Sequence, residues 1–241
     1  GASRAELLRE AGLDEKQIQD PDARIPLSAV VRLWHTTTTR LPDPALGLRL
    51  GADVRARDFG LVGYTMAFSA TLGAALQRVD RYDHIVSDAL VVELEATDGG
   101  TWVRLDVQPE LRAFRPAADA RLAALLGVCR EITGASIAPL TVQLPYRRPA
   151  EVQEYERFFR APLEFGALAT AFLLSAADLE RPIVSSDPSL TGYLDRLAEQ
   201  TLTALGAERT TQDRVRRVLW TDLNAGDAHL DRVARQLGLS P

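Results

Sequence analysis

Apolar residues along this chain recur with two periods, and the change between them outlines its architecture. In the first fifty residues the period is helical. Ala5, Leu7, Leu8 and Ala11 form one stripe that stops at Gly12. Asp20-Pro21-Asp22 reads as a turn. Pro26 then opens a helix through Val30, Val31, Leu33 and Trp34, which Pro42 and Pro44 end. Ala45 to Leu50 is a further short helix closed by Gly51, and Thr71 is a good N-cap for a helix over Leu72–Tyr82.

The period then drops to two. Leu90–Ala96 and Thr101–Val107 alternate around Asp98-Gly99-Gly100, the clearest hairpin of the sequence. A long helix from about Pro116 to Ile132 follows, stopped by Gly134. Leu140–Leu144 alternates again, and Pro149–Phe159 is helical. Pro162–Phe165 and Ala171–Leu174 are short strands around a turn at Gly166. Helical patterns close the chain at Leu190–Leu205, Gln212–Leu223 and Leu230–Leu237. Hairpins and long helices without alternating βαβ units predict an α+β fold: helices on a mainly antiparallel sheet of about four to five strands, then a C-terminal helical segment. Apolar content dips at 206–211, so the expected division is a domain over 1–205, a linker, and a helical segment over 212–241.

Composition narrows the function classes. With 46% hydrophobic and 25% charged residues, 241 residues suffice for a sizeable core. No apolar run is long enough for a membrane span, and the first residues carry no secretory pattern. One cysteine, Cys129, excludes a disulfide framework, and three scattered histidines argue against a metal cage. The expectation is a cytoplasmic protein without metal, cofactor or membrane partner. Net charge is −5, yet Arg209–Pro241 holds six arginines against four acids and is +2, leaving −7 on the rest.

Several residues are candidates for chemistry. Phe59, Tyr64, Met66 and Phe68 lie around the pair Gly60 and Gly63, a glycine loop that suits a pocket border; the same residues also suit plain core. Trp34 is a further aromatic candidate. Arg81-Tyr82-Asp83-His84 is the densest polar cluster, and Arg81, Tyr82 and His84 join the ligand-binding candidates. No serine elbow or cysteine–histidine set accompanies them, so no residue is assigned a catalytic role. On the hairpin, Trp102 and Arg104 are expected on opposite faces with one turned inward; an inward arginine would want an anionic ligand group. Arg121, on the long helix, is expected to share a face with Cys129, itself read as a buried thiol.

The most specific segment is Leu230-Asp231-Arg232-Val233-Ala234-Arg235-Gln236-Leu237-Gly238-Leu239-Ser240-Pro241. Ala234 and Gly238 have the spacing of a helix-turn-helix, in which the small residue permits a close crossing and the glycine a left-handed turn. Ser240 and Pro241 suit the start of a next helix. An ordinary helical hairpin fits the spacing too. The phrase as a whole resembles the opening of the DNA-binding domain of AraC-family transcription regulators. His229 departs from it, standing where the family has a serine or threonine cap.

The remainder resembles the branch of that family whose N-terminal half is an arabinose-binding-type effector domain. Its landmarks are Arg24-Ile25-Pro26-Leu27, Ala45-Leu46-Gly47-Leu48-Arg49-Leu50-Gly51, Phe59-Gly60-Leu61-Val62-Gly63-Tyr64 and Thr71-Leu72-Gly73-Ala74-Ala75-Leu76, then Arg157-Phe158-Phe159, Leu163-Glu164-Phe165-Gly166 and Arg181-Pro182. The resemblance implies a non-enzymatic regulator with a small-molecule effector, homodimerisation, and DNA binding in the full protein. It casts Arg214, Arg217, Arg232, Arg235 and Ser240 as DNA-binding candidates, and the chain as ending inside the helix-turn-helix domain. The rival readings are a small-molecule enzyme and a ligand-free dimerisation module, either with a packed C-terminal hairpin.

Overall fold

The period-2 segments pair into a single sheet in the computed structural model, which describes residues 3–19, 23–112 and 114–205. Its strands are β1 (Leu90–Thr97), β2 (Gly100–Val107), β3 (Thr141–Leu144), β4 (Leu163–Phe165) and β5 (Thr170–Leu174), in spatial order β1-β2-β5-β3-β4. The first three pairings across this order are antiparallel, and β3–β4 is parallel. The α+β expectation therefore holds, with one correction: a βαβ unit is present. The helix between β3 and β4 returns the chain to the same end of the sheet, and parallel pairing needs such a crossover.

Among the described residues eleven α-helices accompany the sheet. Before it come α1 (Arg4–Ala11), α2 (Glu15–Gln19), α3 (Leu27–Arg40), α4 (Leu46–Asp53), α5 (Gly60–Ala67) and α6 (Leu72–Val86). The rest are α7 (Pro109–Arg112), α8 (Arg115–Thr133), α9 (Val152–Phe159), α10 (Ala176–Leu179) and α11 (Pro188–Ala204). Ser3 starts α1 with a reciprocal capping box to Glu6, and Thr71 Oγ1 accepts from Ala74 N at the start of α6. The segment read as a glycine loop is a 3-10 turn over Ala56–Phe59 running into α5. Its apolar residues lie on every side, so no stripe announced it. Gly60, at φ 55° and ψ −133°, makes the join. A Cβ on Gly63 would stand 1.6 Å from Ala56 O, so only glycine lets the turn fold onto the helix.

The core lies between α8 and one face of the sheet. Val92, Val103, Leu105, Val142, Leu144, Phe172 and Leu174 are buried on that face. From α8, Leu122, Leu126, Val128 and Cys129 are buried on several sides. Each such large apolar side chain contributes about 1.5–3 kcal/mol. Across α8 lies α4, at backbone contact: a Cβ on Gly47 would meet Pro116 O at 2.0 Å, and one on Gly51 would meet Ala120 O at 2.2 Å. Further along, α6 is joined to α11 by a bidentate pair, with Arg78 Nε to Asp195 Oδ1 at 2.9 Å and Nη2 to Oδ2 at 2.8 Å.

The chain divides into two compact units, Gly1–Ala198 and Glu199–Pro241, and the site below lies within the first. The expected turn at 20–22, the expected linker at 206–211 and the helical segment from 212 lie outside the described residues. Among the described residues no helix is long and apolar enough to cross a membrane.

Candidate functional site

One face of α8 is short-sided. Ala117, Ala120, Ala124 and Leu125 recur at helical spacing, with Arg121 among them. Three alanines in a row leave room, and a cavity of about 340 Å³ opens over them. Because α4 is held so close to α8, Leu50 and Gly51 form the adjoining wall. Phe59, Val62 and Met66 close it from the turn and α5, and Val79, Asp83 and Val86 from α6. Val92 and Leu105 reach it from the sheet, and Trp34 from α3. The floor is deeply buried at Val62, Met66, Val92 and Ala117, whereas Leu50 at 47% and Val86 at 40% are open to solvent and mark the rim.

Charged groups in this apolar surround are few, and two of the three are engaged. Asp83 Oδ1 accepts from His84 N at 2.7 Å and Oδ2 from Val92 N at 2.9 Å, so its carboxylate ties the end of α6 to β1. Asp58 Oδ2 accepts from Arg55 N at 2.8 Å and caps the 3-10 turn. Arg121 differs. Its Nη1 reaches Ala89 O at 3.4 Å, a long contact, and no described carboxylate compensates its charge. Burial alone lowers its pKa to about 10, which still leaves it a cation at neutral pH.

Of the sequence candidates, Trp34, Phe59, Met66 and Arg121 come together on this cavity. The rest do not, and helical phase and strand parity explain why. On α6 the cavity face is Val79, Asp83 and Val86, so the neighbours of Asp83 point elsewhere. Arg81 is exposed and lies 5.8 Å over the Tyr82 ring; Tyr82 is buried with its hydroxyl 3.5 Å from Asp195; His84 lies 4.0 Å from Asp83 and Asp88. Tyr64 is 48% exposed, and Phe68 follows α5, its carbonyl accepting from Thr191 Oγ1 at 2.5 Å. Trp102 and Arg104 are corrected: two apart on β2, they share one face, opposite in parity to the lining residue Leu105. There Arg104 stacks 5.2 Å over the Trp102 ring and donates to Glu95 at 2.7 Å. Cys129 is fully buried outside the cavity lining, its thiol pushed up to about 12. The candidates Arg214, Arg217, Arg232, Arg235 and Ser240 lie outside the described residues.

Sequence reading missed Asp83 and the alanine stripe. The signal was present, since Ala117, Ala120, Arg121 and Ala124 follow the helical period, but small residues read as ordinary packing. A second polar cluster lies on α8 at Arg115 and Asp119. Buried Asp119 accepts from the hydroxyls of Tyr146 and Tyr155, and Arg115 donates to Pro44 O at 2.8 Å and Tyr155 Oη at 2.9 Å. Burial raises the Asp119 carboxyl above its ordinary value, against the pull of both tyrosines and Arg115. These groups fasten α8 to α9, away from the cavity lining, with Arg115 Nε 3.5 Å from Asp119 Oδ2 and without a hydrogen-bond partner.

Comparison with known proteins places this geometry. Residues 1–183 match the family described as the arabinose-binding domain of AraC transcription regulators, N-terminal. The chain is 27% identical over 242 residues to the ornithine utilization regulator of Pseudomonas aeruginosa, covering all of this chain and 71% of that protein. Its fold is similar to the crystal structure of the transcriptional regulator CdpR from Pseudomonas aeruginosa, with a TM-score of 0.61, 21% identity, and coverage of 100% of this chain and 78% of that one. The chain thus belongs to the AraC-type effector-responsive transcription regulators that carry this arabinose-binding N-terminal domain.

Proposed function

We propose that the α8 cavity is where the effector binds, and that its occupancy sets whether the full regulator engages DNA. The observation that carries this reading is a cavity of about 340 Å³, apolar-walled, with Arg121 set in it, inside the stretch matched to the effector domain. Its walls come from α4, α5, α6, α8 and the sheet, so a ligand filling it changes the packing of several elements at once. A ligand that binds one arrangement better than another shifts the population toward it. In this reading residues 1 to about 205 sense and dimerise, and those from about 212 open a helix-turn-helix domain. Basic residues there contact DNA phosphates in the cytoplasm. The residue phrase Leu230–Pro241 supports that assignment. The protein is a sensor and not a catalyst; the regulator relative supports this.

The test is thermal unfolding of the chain against a metabolite panel, with Ala124→Phe as a variant whose cavity is filled. A ligand at a hundredfold its Kd adds about 2.7 kcal/mol. At about 2–4 °C per kcal/mol for a domain of this size, Tm rises by about 5–11 °C. The shift disappears in Ala124→Phe. A shift of equal size in the filled variant contradicts the reading, and no shift with any metabolite favours a ligand-free dimerisation module.

A further inference from the structure

We propose that the cavity takes a small amphiphilic monocarboxylate, its carboxylate paired with Arg121 and its hydrocarbon part laid along the apolar wall of α5, α6 and α8. This rests on the reading of the cavity as the effector site and names the chemical class that fits it.

Charge comes first. Arg121 is the one basic residue among the described lining, to which its own helix also contributes Ala117, Ala120, Ala124 and Leu125. A half-buried guanidinium in such surroundings loses part of its hydration, which a counter-charge with hydrogen-bond acceptors would restore. The protein supplies a single long contact to Ala89 O. A planar fork of N–H donors left so nearly unused matches a carboxylate, which accepts two parallel bonds. The burial that lowers the Arg121 pKa to about 10 leaves the cation intact at neutral pH, so the counter-charge has a partner there.

The other groups narrow the class. Asp58 and Asp83 also line the cavity, so a dianion such as a phosphate monoester would meet one cation and two carboxylates. A monoanion meets the cation at less electrostatic cost. An α-amino acid would need an acceptor for its ammonium group. Asp83 is the obvious one, but it already holds the backbone N–H groups of His84 and Val92 and stands 4.0 Å from His84 Nε2. Size sets the tail. At about 30 Å³ per water, 340 Å³ corresponds to about eleven water-sized volumes, and so to a ligand of about ten non-hydrogen atoms.

Octanoate has that size and charge, and octanamide is its neutral twin. Titration calorimetry of both, and of L-ornithine, into the 241-residue chain tests the class. Saturable octanoate binding, with octanamide at least tenfold weaker, is the expected result. In Arg121→Met the preference for the carboxylate disappears and octanoate binds about ten- to a hundredfold more weakly. The ligand-free Arg121→Met chain also melts above the native chain, because a half-buried charge with no described carboxylate partner has gone; should it not fold, Arg121→Gln carries the same comparison. Equal affinity for octanoate and octanamide overturns the class while leaving the cavity as a binding site, and so does binding of L-ornithine alone. A lower Tm for both arginine variants makes Arg121 a structural residue and overturns the proposal. Octanoate binding that persists undiminished in Ala124→Phe puts the ligand elsewhere, and then the reading of the cavity as the effector site fails as well.

Discussion

Replacing Gly51 by alanine isolates the contact that builds the cavity wall. Gly51 sits inside α4 against the backbone of α8, and a Cβ there would stand 2.2 Å from Ala120 O and 2.8 Å from Ala123 Cβ. Ordinary contact begins near 3.4 Å, so the helices must part by about 1 Å. Ala120 O belongs to a helix backbone and has no rotamer to yield. Overpacking of this kind costs about 1–3 kcal/mol, and a backbone clash belongs at the upper end. Against it, alanine in a helix interior gains about 1 kcal/mol over glycine. The net loss is about 2 kcal/mol, or about 4–8 °C in Tm. Gly127 is the matched control. It lies inside α8, and a Cβ there meets nothing within 4 Å. Gly127→Ala therefore receives the helix gain alone, and its Tm rises by about 2–4 °C. Scanning calorimetry of both variants reads the two signs. If Gly51→Ala melts at or above the native chain, the close α4–α8 crossing is not the constraint described.

Three further outcomes follow from other contacts. Asp195→Ala removes the bidentate partner of Arg78 and leaves that partly buried cation unmatched; a loss of about 1–3 kcal/mol is expected, with hydrogen-exchange protection falling first at residues 190–198, and unchanged protection there contradicts it. Asp119 titrates above its ordinary value in the folded state because it is buried, so the folded chain holds this proton more tightly than the unfolded chain. Its contribution is therefore complete below the ordinary carboxylate pKa and declines as pH rises toward the raised one. Urea unfolding at stepped pH checks this: the stability of the native chain minus that of Asp119→Asn falls with pH across that window, and a difference that grows with pH refutes it. Cys129, fully buried with its thiol near 12, reacts with a thiol reagent only as fast as the chain opens; rapid labelling under native conditions contradicts its placement.

Much of the fold was legible because its signals are local. The hairpin at Leu90–Val107 alternates cleanly, and α6 and α8 carry a cap or a stop at the expected residue. What escaped depends on the third dimension. Helix α5 is apolar all round, so its glycines read as a loop, although Gly63 is there to let the 3-10 turn pack on it. The parallel β3–β4 pair was hidden because a turn at Gly166 suggests that β4 and β5 adjoin, whereas β3 lies between them. At the site, Arg121 was singled out by its helical spacing from Cys129, and Met66 and Phe59 by their segment. Arg81, Tyr82 and His84 were drawn in by sequence proximity, while helical phase puts their neighbour Asp83 on the cavity. Trp102 and Arg104 show the same lesson on a strand, where residues two apart share a face.

The most direct measurement is a crystal structure of the regulator with its effector bound. The account predicts ligand density over Ala117, Ala120 and Ala124 of α8, with its anionic group about 2.7–2.9 Å from the Arg121 guanidinium. Density at any other site, with the α8 cavity unfilled, would contradict it.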